Sequence, residues 1–319
     1  MINMTLENWQ GRPYYSLDAY CKNTYGEKLY KIALNAGLSC PNRDGTLGIG
    51  GCIFCSAGGS GDFAVNMNEY PSIADQIAAG KALFRHKRTG QRYIAYFQAY
   101  TNTYGPLPYL QKIYEEALSE PSVAGISIAT RPDCIPDDIM TLLVNIKAKF
   151  PDKFVWIELG LQTIHEETAL FIRRGYSLDI FDNCVMRLRH AGIPVVAHVI
   201  LGLPGETKEH VLSTISHLNA LGIWGIKLQL LHILKGTDMA SVYVAGAYAP
   251  LTKDAYLDLV IDCLEHLSPQ TVIHRLTGDG PKDLLLAPLW SLNKRDVLNS
   301  LHRRMKERGS RQGRQISKQ

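Results

Sequence analysis

Short β-prone runs alternate with amphipathic segments of ten or more residues through most of this 319-residue chain, and no feature restricts its fold more. KLYKIALN, RYIAYFQ, AGISIAT, FVWIELG, PVVAHVIL and GIKLQLL read as strands, with helical patterns over 73–86, 109–118, 138–149, 166–174, 180–190 and 210–221 between or after them. Strands joined by segments of that length pair in parallel, because a parallel crossover needs a dozen or so residues. Six such units predict an α/β fold, a partial (β/α)6 TIM-like barrel, with its chemistry at the C-terminal ends of the strands. The rhythm changes after Gly236, where a helix over 253–267, the strand TVIHRLTG and a basic helix over 293–308 follow. The expected organisation is an N-terminal segment (1–28), a barrel (29–236) and a C-terminal extension packed on it (237–319). A content of 46% hydrophobic and 20% charged residues excludes a disordered, collagen-like or coiled-coil chain.

No apolar run approaches the roughly 20 residues of a membrane helix, and MINMTLENWQ lacks a charged start followed by an apolar core. A cytoplasmic protein without a membrane partner is expected. Seven cysteines, an odd number, then argue for metal binding or chemistry rather than a disulfide framework. CPNRDGTLGIGGCIFC gathers Cys40, Cys52 and Cys55 into one loop, with Gly45, Gly48, Gly50 and Gly51 permitting close backbone approach. A structural zinc site is normally closed by four ligands, and this loop holds three; Cys21 and His86 are distant in sequence. Three thiolates better suit a [4Fe–4S] cluster with one iron left open. No G-x-x-x-x-G-K-[ST] or G-x-G-x-x-G pattern follows a strand, which counts against a nucleotidase or dehydrogenase.

Three cysteines after the first barrel strand, with Phe54 before the last, resemble the radical S-adenosylmethionine (SAM) superfamily. Eleven residues separate Cys40 from Cys52 where most of that superfamily has three, a stretched spacing typical of a branch related to the elongator-type, tRNA-modifying proteins. CPNRDGT, YFQAYTNTYGP, ATRPDCIP, ELGLQT, LGLPGET, LHILKGT and HRLTGDGP fit the resemblance in order, from about Tyr20 to Gly313. It implies a [4Fe–4S] cluster on Cys40, Cys52 and Cys55, and S-adenosylmethionine cleaved to a 5′-deoxyadenosyl radical that abstracts a substrate hydrogen. It also implies an electron donor such as flavodoxin or ferredoxin.

For the SAM site the resemblance implies Phe54, then Gln98, Thr101 and Asn102 where relatives grip the amino group. Glu158 and Gln162 end the fourth strand, Gln162 near the ribose. Arg174 pairs with the carboxylate, to which a guanidinium fork is suited, although Arg173 is its immediate neighbour. His198 interrupts an apolar strand, as a core residue or a ribose contact, and Gly202 and Pro204 belong to the turn lining the adenine pocket. Where elongator relatives carry Glu, this chain has Ala129. Arg131 and Asp133 form a local pair or face the substrate, and Cys134 follows at the mouth. No general acid or base is assigned; Tyr100, Tyr104, Arg131, Lys227, Gln229 and His232 are the strand-end candidates.

The last 19 residues carry seven Lys or Arg against one acid, a local +6 in a chain of net +4, so the other 300 residues carry −2. Such a tail suggests a polyanionic partner, with Arg303, Arg304, Arg308, Arg311 and Arg314 as phosphate contacts. The basic stretch KALFRHKRTGQR has the same character. Proteins that the chain resembles act on the tRNA wobble uridine, converting a 5-carboxymethylaminomethyl side chain to 5-aminomethyl, and tRNA is the substrate so implied. Another RNA or small-molecule substrate, or a non-catalytic iron–sulfur electron carrier, are the alternatives.

Overall fold

A computed structural model describes residues 9–59, 61–65, 67–84, 90–278 and 280–316. Residues 85–89 of the basic stretch, His86 among them, and Lys318 of the tail lie outside the described residues. The elements run α1 (Leu17–Tyr25), β1 (Tyr30–Leu34), α2 (Ile73–Ala82), β2 (Tyr93–Phe97), α3 (Leu107–Ser119), β3 (Val123–Thr130), α4 (Asp137–Lys149), β4 (Phe154–Gln162), α5 (Glu166–Phe171) and α6 (Leu178–His190). They continue with β5 (Val195–Leu201), α7 (Lys208–Leu221), β6 (Gly225–Leu230), β7 (Ile233–Leu234), α8 (Asp238–Val244), α9 (Lys253–His266), β8 (Val272–Arg275), β9 (Leu285–Ala287) and α10 (Lys294–Glu307).

Strands β1 to β6 pair in sequence order, all parallel, and β8 adds to β6, so seven strands curl into a half-barrel. The six expected strands are present. The seventh is the TVIHRLTG run of the extension: α9 packs against α7 and returns the chain beside β6. β7 and β9 form a separate antiparallel ribbon. All eight residues of β3 are buried, as befits a strand covered on both faces. Local chemistry sets the helix ends. Ser16 accepts from the Ala19 amide to start α1, and Gly26, at φ 76°, ends it in the left-handed region.

Side chains alternate inward and outward along each strand, so the half-barrel interior is layered. Toward the N-terminal ends of the strands lies an aromatic layer. Trp156 of β4 stacks on Phe154 with centroids 3.9 Å apart, and Trp224, just before β6, sits 4.6 Å from Trp156. Tyr20 of α1 meets both tryptophans edge-on, at 6.1 and 5.0 Å. Helix α1 therefore plugs that end. Among the described residues no helix is long and apolar enough to cross a membrane.

The chain after α10 docks on the body. Gln312 is buried; its side chain donates to the carbonyls of Ser268 (2.6 Å) and Thr271 (2.8 Å) and accepts from the Tyr15 amide (2.9 Å).

Candidate active site at the barrel mouth

The cysteine loop follows β1 and is shaped by two turns, in which the Arg43 amide donates to the Cys40 carbonyl (2.8 Å) and the Cys55 amide to the Cys52 carbonyl (2.9 Å). Two side chains beside Cys40 fix the loop. Asn42 donates to the carbonyls of Arg173 (2.8 Å) and Arg174 (3.2 Å), tying the loop to the segment after α5. Arg43 donates to the carbonyls of Cys55 (3.2 Å) and Ser56 (2.5 Å). Close approach requires a glycine opposite: a Cβ on Gly175, at φ 82°, would stand 2.7 Å from Asn42 Oδ1. Asn42 and Arg43 went unassigned in the sequence, although both stand inside CPNRDGT.

Cys40, Cys52 and Cys55 face one cavity of about 180 Å³. The Cys52 thiol is lowered to about 7 by the hydrogen bond from Cys55, by the Asn42 amide 3.5 Å from its sulfur, and by the charges of Arg131 and Arg43. These contacts favour the thiolate at Cys52, the form that ligates iron, at the expense of Cys55, whose thiol is raised well above its usual range by its hydrogen bond to Cys52 and by burial. Among the described residues no three Cys, His, Asp or Glu side chains converge closely enough to hold a single metal ion. Three thiolates around one cavity are one fewer than the four ligands that close a structural zinc site, and suit a cluster with one open iron. The remaining cysteines are elsewhere: Cys21, Cys184 and Cys263 are buried in the core, and the buried Cys134 thiol is pushed up to about 12 by burial.

The same cavity is lined by Phe54, Tyr100, Thr101, Arg131 and Gln162. Glu158, Arg174, His198 and Gln229 complete the set of expected residues on its wall. Tyr100 donates to the Ala57 carbonyl (2.6 Å). Arg131 pairs with Asp133 (2.7 Å) and donates to the Arg174 carbonyl (2.9 Å), so the local ion pair is formed while the side chain still borders the cavity. Tyr176, which no sequence motif marks, has the guanidinium groups of both Arg131 and Arg174 about its ring, each 4.9 Å from the centroid.

Arg174 is buried, and its guanidinium is engaged within the protein. It donates to the carbonyls of Tyr176 (2.9 Å) and Thr163 (2.6 Å) and to Glu166 (2.9 Å). Arg173 is exposed and pairs with Asp238. Asn102 is fully buried and donates to the carbonyls of Phe97 and Ala129, bracing the strand ends from behind. Gln98 and His232 line an adjoining cavity, with His232 3.1 Å from Ser291 Oγ. Tyr104 is turned toward Thr46 (2.9 Å), and Gly202 and Pro204 lie in the turn after β5; none of the three lines either cavity.

Below the cysteines the interior becomes ionic. Glu158, fully buried, takes Lys31 (2.5 Å) and Ser127 (2.6 Å) on one oxygen, and His198 (2.7 Å) and Lys227 on the other. Burial opposes ionisation of Glu158, but Lys227, Lys31 and His198 outweigh it and hold the carboxyl well below its usual range. His198 is lowered to about 4, first by burial and then by the Lys227 charge. A neutral imidazole facing a carboxylate must donate from Nε2, which leaves Nδ1 an acceptor. Lys31 and Ser127 had no assignment in the sequence. The available signal was a lysine and a serine breaking otherwise apolar strands.

Of the five tail arginines, Arg304 pairs with Asp254 and Asp258, Arg308 with Asp258 (2.6 Å), and Arg314 with Glu265 (3.5 Å). Arg303 and Arg311 are exposed and take no part in those pairs.

Comparison with known proteins agrees with this geometry. Residues 40–218 match the Radical SAM superfamily and residues 223–307 its C-terminal domain family. The chain is 44% identical to YtqA of Bacillus subtilis (strain 168), over 94% of this chain and 92% of that protein. It is 38% identical to YhcC of Escherichia coli (strain K12), over 89% and 90%. Among solved structures it resembles the archaeal Methanocaldococcus infernus Elp3 lacking residues 1–46, with a TM-score of 0.67 at 15% identity. That match spans 89% of this chain and 64% of that one, a likeness of fold.

Proposed function

The chain belongs to the radical SAM superfamily, whose enzymes use a [4Fe–4S] cluster and S-adenosylmethionine, and from that premise we propose that it modifies a tRNA wobble uridine, shortening a 5-carboxymethylaminomethyl side chain to 5-aminomethyl. Support for the reactive centre comes from one observation: Cys40, Cys52 and Cys55 share a cavity at the C-terminal mouth of the barrel with Thr101, Gln162 and His198. Support for tRNA comes from the elongator-type motifs and from the likeness to Elp3.

A bound cluster, with a flavodoxin- or ferredoxin-type electron donor, would supply one-electron reduction of SAM and so the radical chemistry of the site. Cys40, Cys52 and Cys55 would hold that cluster, and Asn42 and Arg43 keep the loop in shape. Thr101, Gln162 and Gln229 present polar groups to SAM. His198, its Nε2 proton committed to Glu158, offers Nδ1 as an acceptor. Arg174 and Tyr176 stand on the same wall and act as positioning residues, because the guanidinium is engaged by the segment between β4 and α6.

The experiment has two readouts. Anaerobically reconstituted protein should hold about four irons, and Cys40→Ala, Cys52→Ala or Cys55→Ala should lose them while Cys134→Ala keeps them. Nucleoside mass spectrometry of tRNA from a deletion strain should show the carboxymethylaminomethyl form accumulating. Unchanged tRNA would refute the substrate.

A further inference from the structure

Parallel barrels normally fill their interior with branched apolar side chains. One layer here is instead built from Lys31 of β1, Tyr96 of β2, Ser127 of β3, Glu158 of β4, His198 of β5 and Lys227 of β6. The ammonium groups of Lys31 and Lys227 stand 4.6 and 4.5 Å from the centroid of the Tyr96 ring, and Lys227 also donates to the Tyr96 hydroxyl (2.9 Å). Within this layer a single carboxylate serves two ammonium groups. Buried positive charge in excess of its partners is costly, and an anion placed beside it relieves the cost.

The layer is open on two sides. A cavity of about 180 Å³ runs from Lys227 and Tyr96 up to Phe54 and Cys55. A wider one, of about 1020 Å³, reaches Lys31 and Lys227 from the gap between β1 and β8, past a rim that includes the exposed Phe63, Leu83 and Leu289. Lys227 therefore lies where an entry from solvent meets a passage to the cysteine loop, with Lys31 on the entry side.

We propose that Lys31 and Lys227 form an anion subsite that receives an acidic group of the substrate, a carboxylate or a phosphate, and so aims the adjoining carbon at the barrel mouth. The subsite deepens the enzymatic reading above and rests on it for the identity of the reactive centre. Tyr96 supplies a polar edge and an aromatic face between the two ammonium groups. The groups facing Lys227 are Lys31, Tyr96, Glu158, His198, His274 and Arg275; Lys282 and Asp296, the latter paired with Lys253 (2.5 Å), line the wider cavity, and Asp62, bonded to Ser56 (2.9 Å), stands at the far end of the narrower one. Burial first, and then Lys31 and Arg275, lower Lys227 to about 7 against the opposing pull of Glu158. An anion entering the layer favours the protonated ammonium, so binding takes up a proton near neutral pH and weakens as pH rises above about 7.

The test uses the reconstituted full chain with SAM and three probes in calorimetry: 5-carboxymethylaminomethyluridine, 5-aminomethyluridine and inorganic phosphate. A carboxylate site should bind the first nucleoside roughly ten- to a hundred-fold tighter than the second, the span that a charge-assisted hydrogen bond provides. Lys227→Met should erase that preference, and Lys31→Met should reduce it. Lys227→Arg, which keeps the charge should Lys227→Met fail to fold, should preserve it within a few-fold. Lys227-dependent binding of phosphate, without preference between the nucleosides, would identify the acidic group as a phosphate and uphold the subsite. Equal affinity for both nucleosides in the wild type, with phosphate binding indifferent to Lys227, would overturn it. The two readings fail separately: unchanged tRNA in the deletion strain removes the wobble-uridine substrate while leaving a measured anion preference standing. Altered tRNA without any such preference removes only the subsite.

Discussion

Arg174 shows how burial changes the meaning of a charge. Its position in the chain suggests a guanidinium offered to a cofactor carboxylate, yet its donors go to Tyr176, Thr163 and Glu166. Replacing it with Ala leaves the two buried carbonyls without donors, at about 1–3 kcal/mol each. Arg174→Ala should therefore lower stability by about 3 kcal/mol, read as a drop in Tm of the iron-free protein. A variant with unchanged Tm and weakened SAM binding would restore the direct contact. Acid stability depends on a neighbouring residue. Folded His198 titrates at about 4, below the ordinary value of 6.5, so the unfolded chain binds more protons between those values. Its contribution is present above about 6.5 and is lost as pH falls toward 4. Urea midpoints should therefore decline from pH 7 to pH 5, and His198→Asn should flatten that decline; identical slopes in both proteins would show that His198 plays no part.

At the scale of elements, α10 and the residues after it differ most from a reading by charge alone. The basic run suggests an arm for phosphates, but α9 brings Asp254, Asp258 and Glu265 beneath it, and three of its arginines are matched there. One-dimensional charge counting misses this because the acids lie some fifty residues earlier. If the face meets tRNA, its contacts are the exposed pair. Arg303→Ala with Arg311→Ala should lower the slope of log affinity against log salt by roughly one to two units. Arg304→Ala should instead act on stability, within the roughly 1 kcal/mol typical of exposed ion pairs. A salt slope indifferent to Arg303 and Arg311 would leave this face without a nucleic-acid role. Strands β1 to β6 are legible in the sequence because each is a β-prone run of five to nine residues. Helix α1 is not: its Tyr20 finds Trp156 and Trp224 only in three dimensions. The ionic layer was half visible, since Glu158, His198 and Lys227 each interrupt an apolar strand, while their convergence depends on register across β4, β5 and β6.

At the scale of the whole molecule, the boundary after Gly236 separates rhythms in the sequence but not bodies in space. β8 pairs with β6 in parallel, Arg275 stands opposite Lys227, and the bridge from Ser16 to Ile273 ties the N-terminal segment to the far edge of the sheet. Helix α9 contributes Tyr256, Leu257, Val260, Ile261 and Leu264, all almost fully buried, to the main core. A fragment ending at Gly236 would expose the β6 edge and the apolar face that α9 covers. Fully burying a side chain of this size contributes about 1.5–3 kcal/mol, so losing five removes about 7.5–15 kcal/mol, as much as the whole margin of roughly 5–15 kcal/mol by which a domain of this kind is stable. Residues 1–236 expressed alone should therefore aggregate or lack a cooperative thermal transition. Coexpressed residues 237–319 should restore a soluble complex if the two pieces find each other before aggregation. A monomeric 1–236 fragment that melts cooperatively and binds iron would show instead that six strands suffice, and that the seventh serves only the entry to the basic layer.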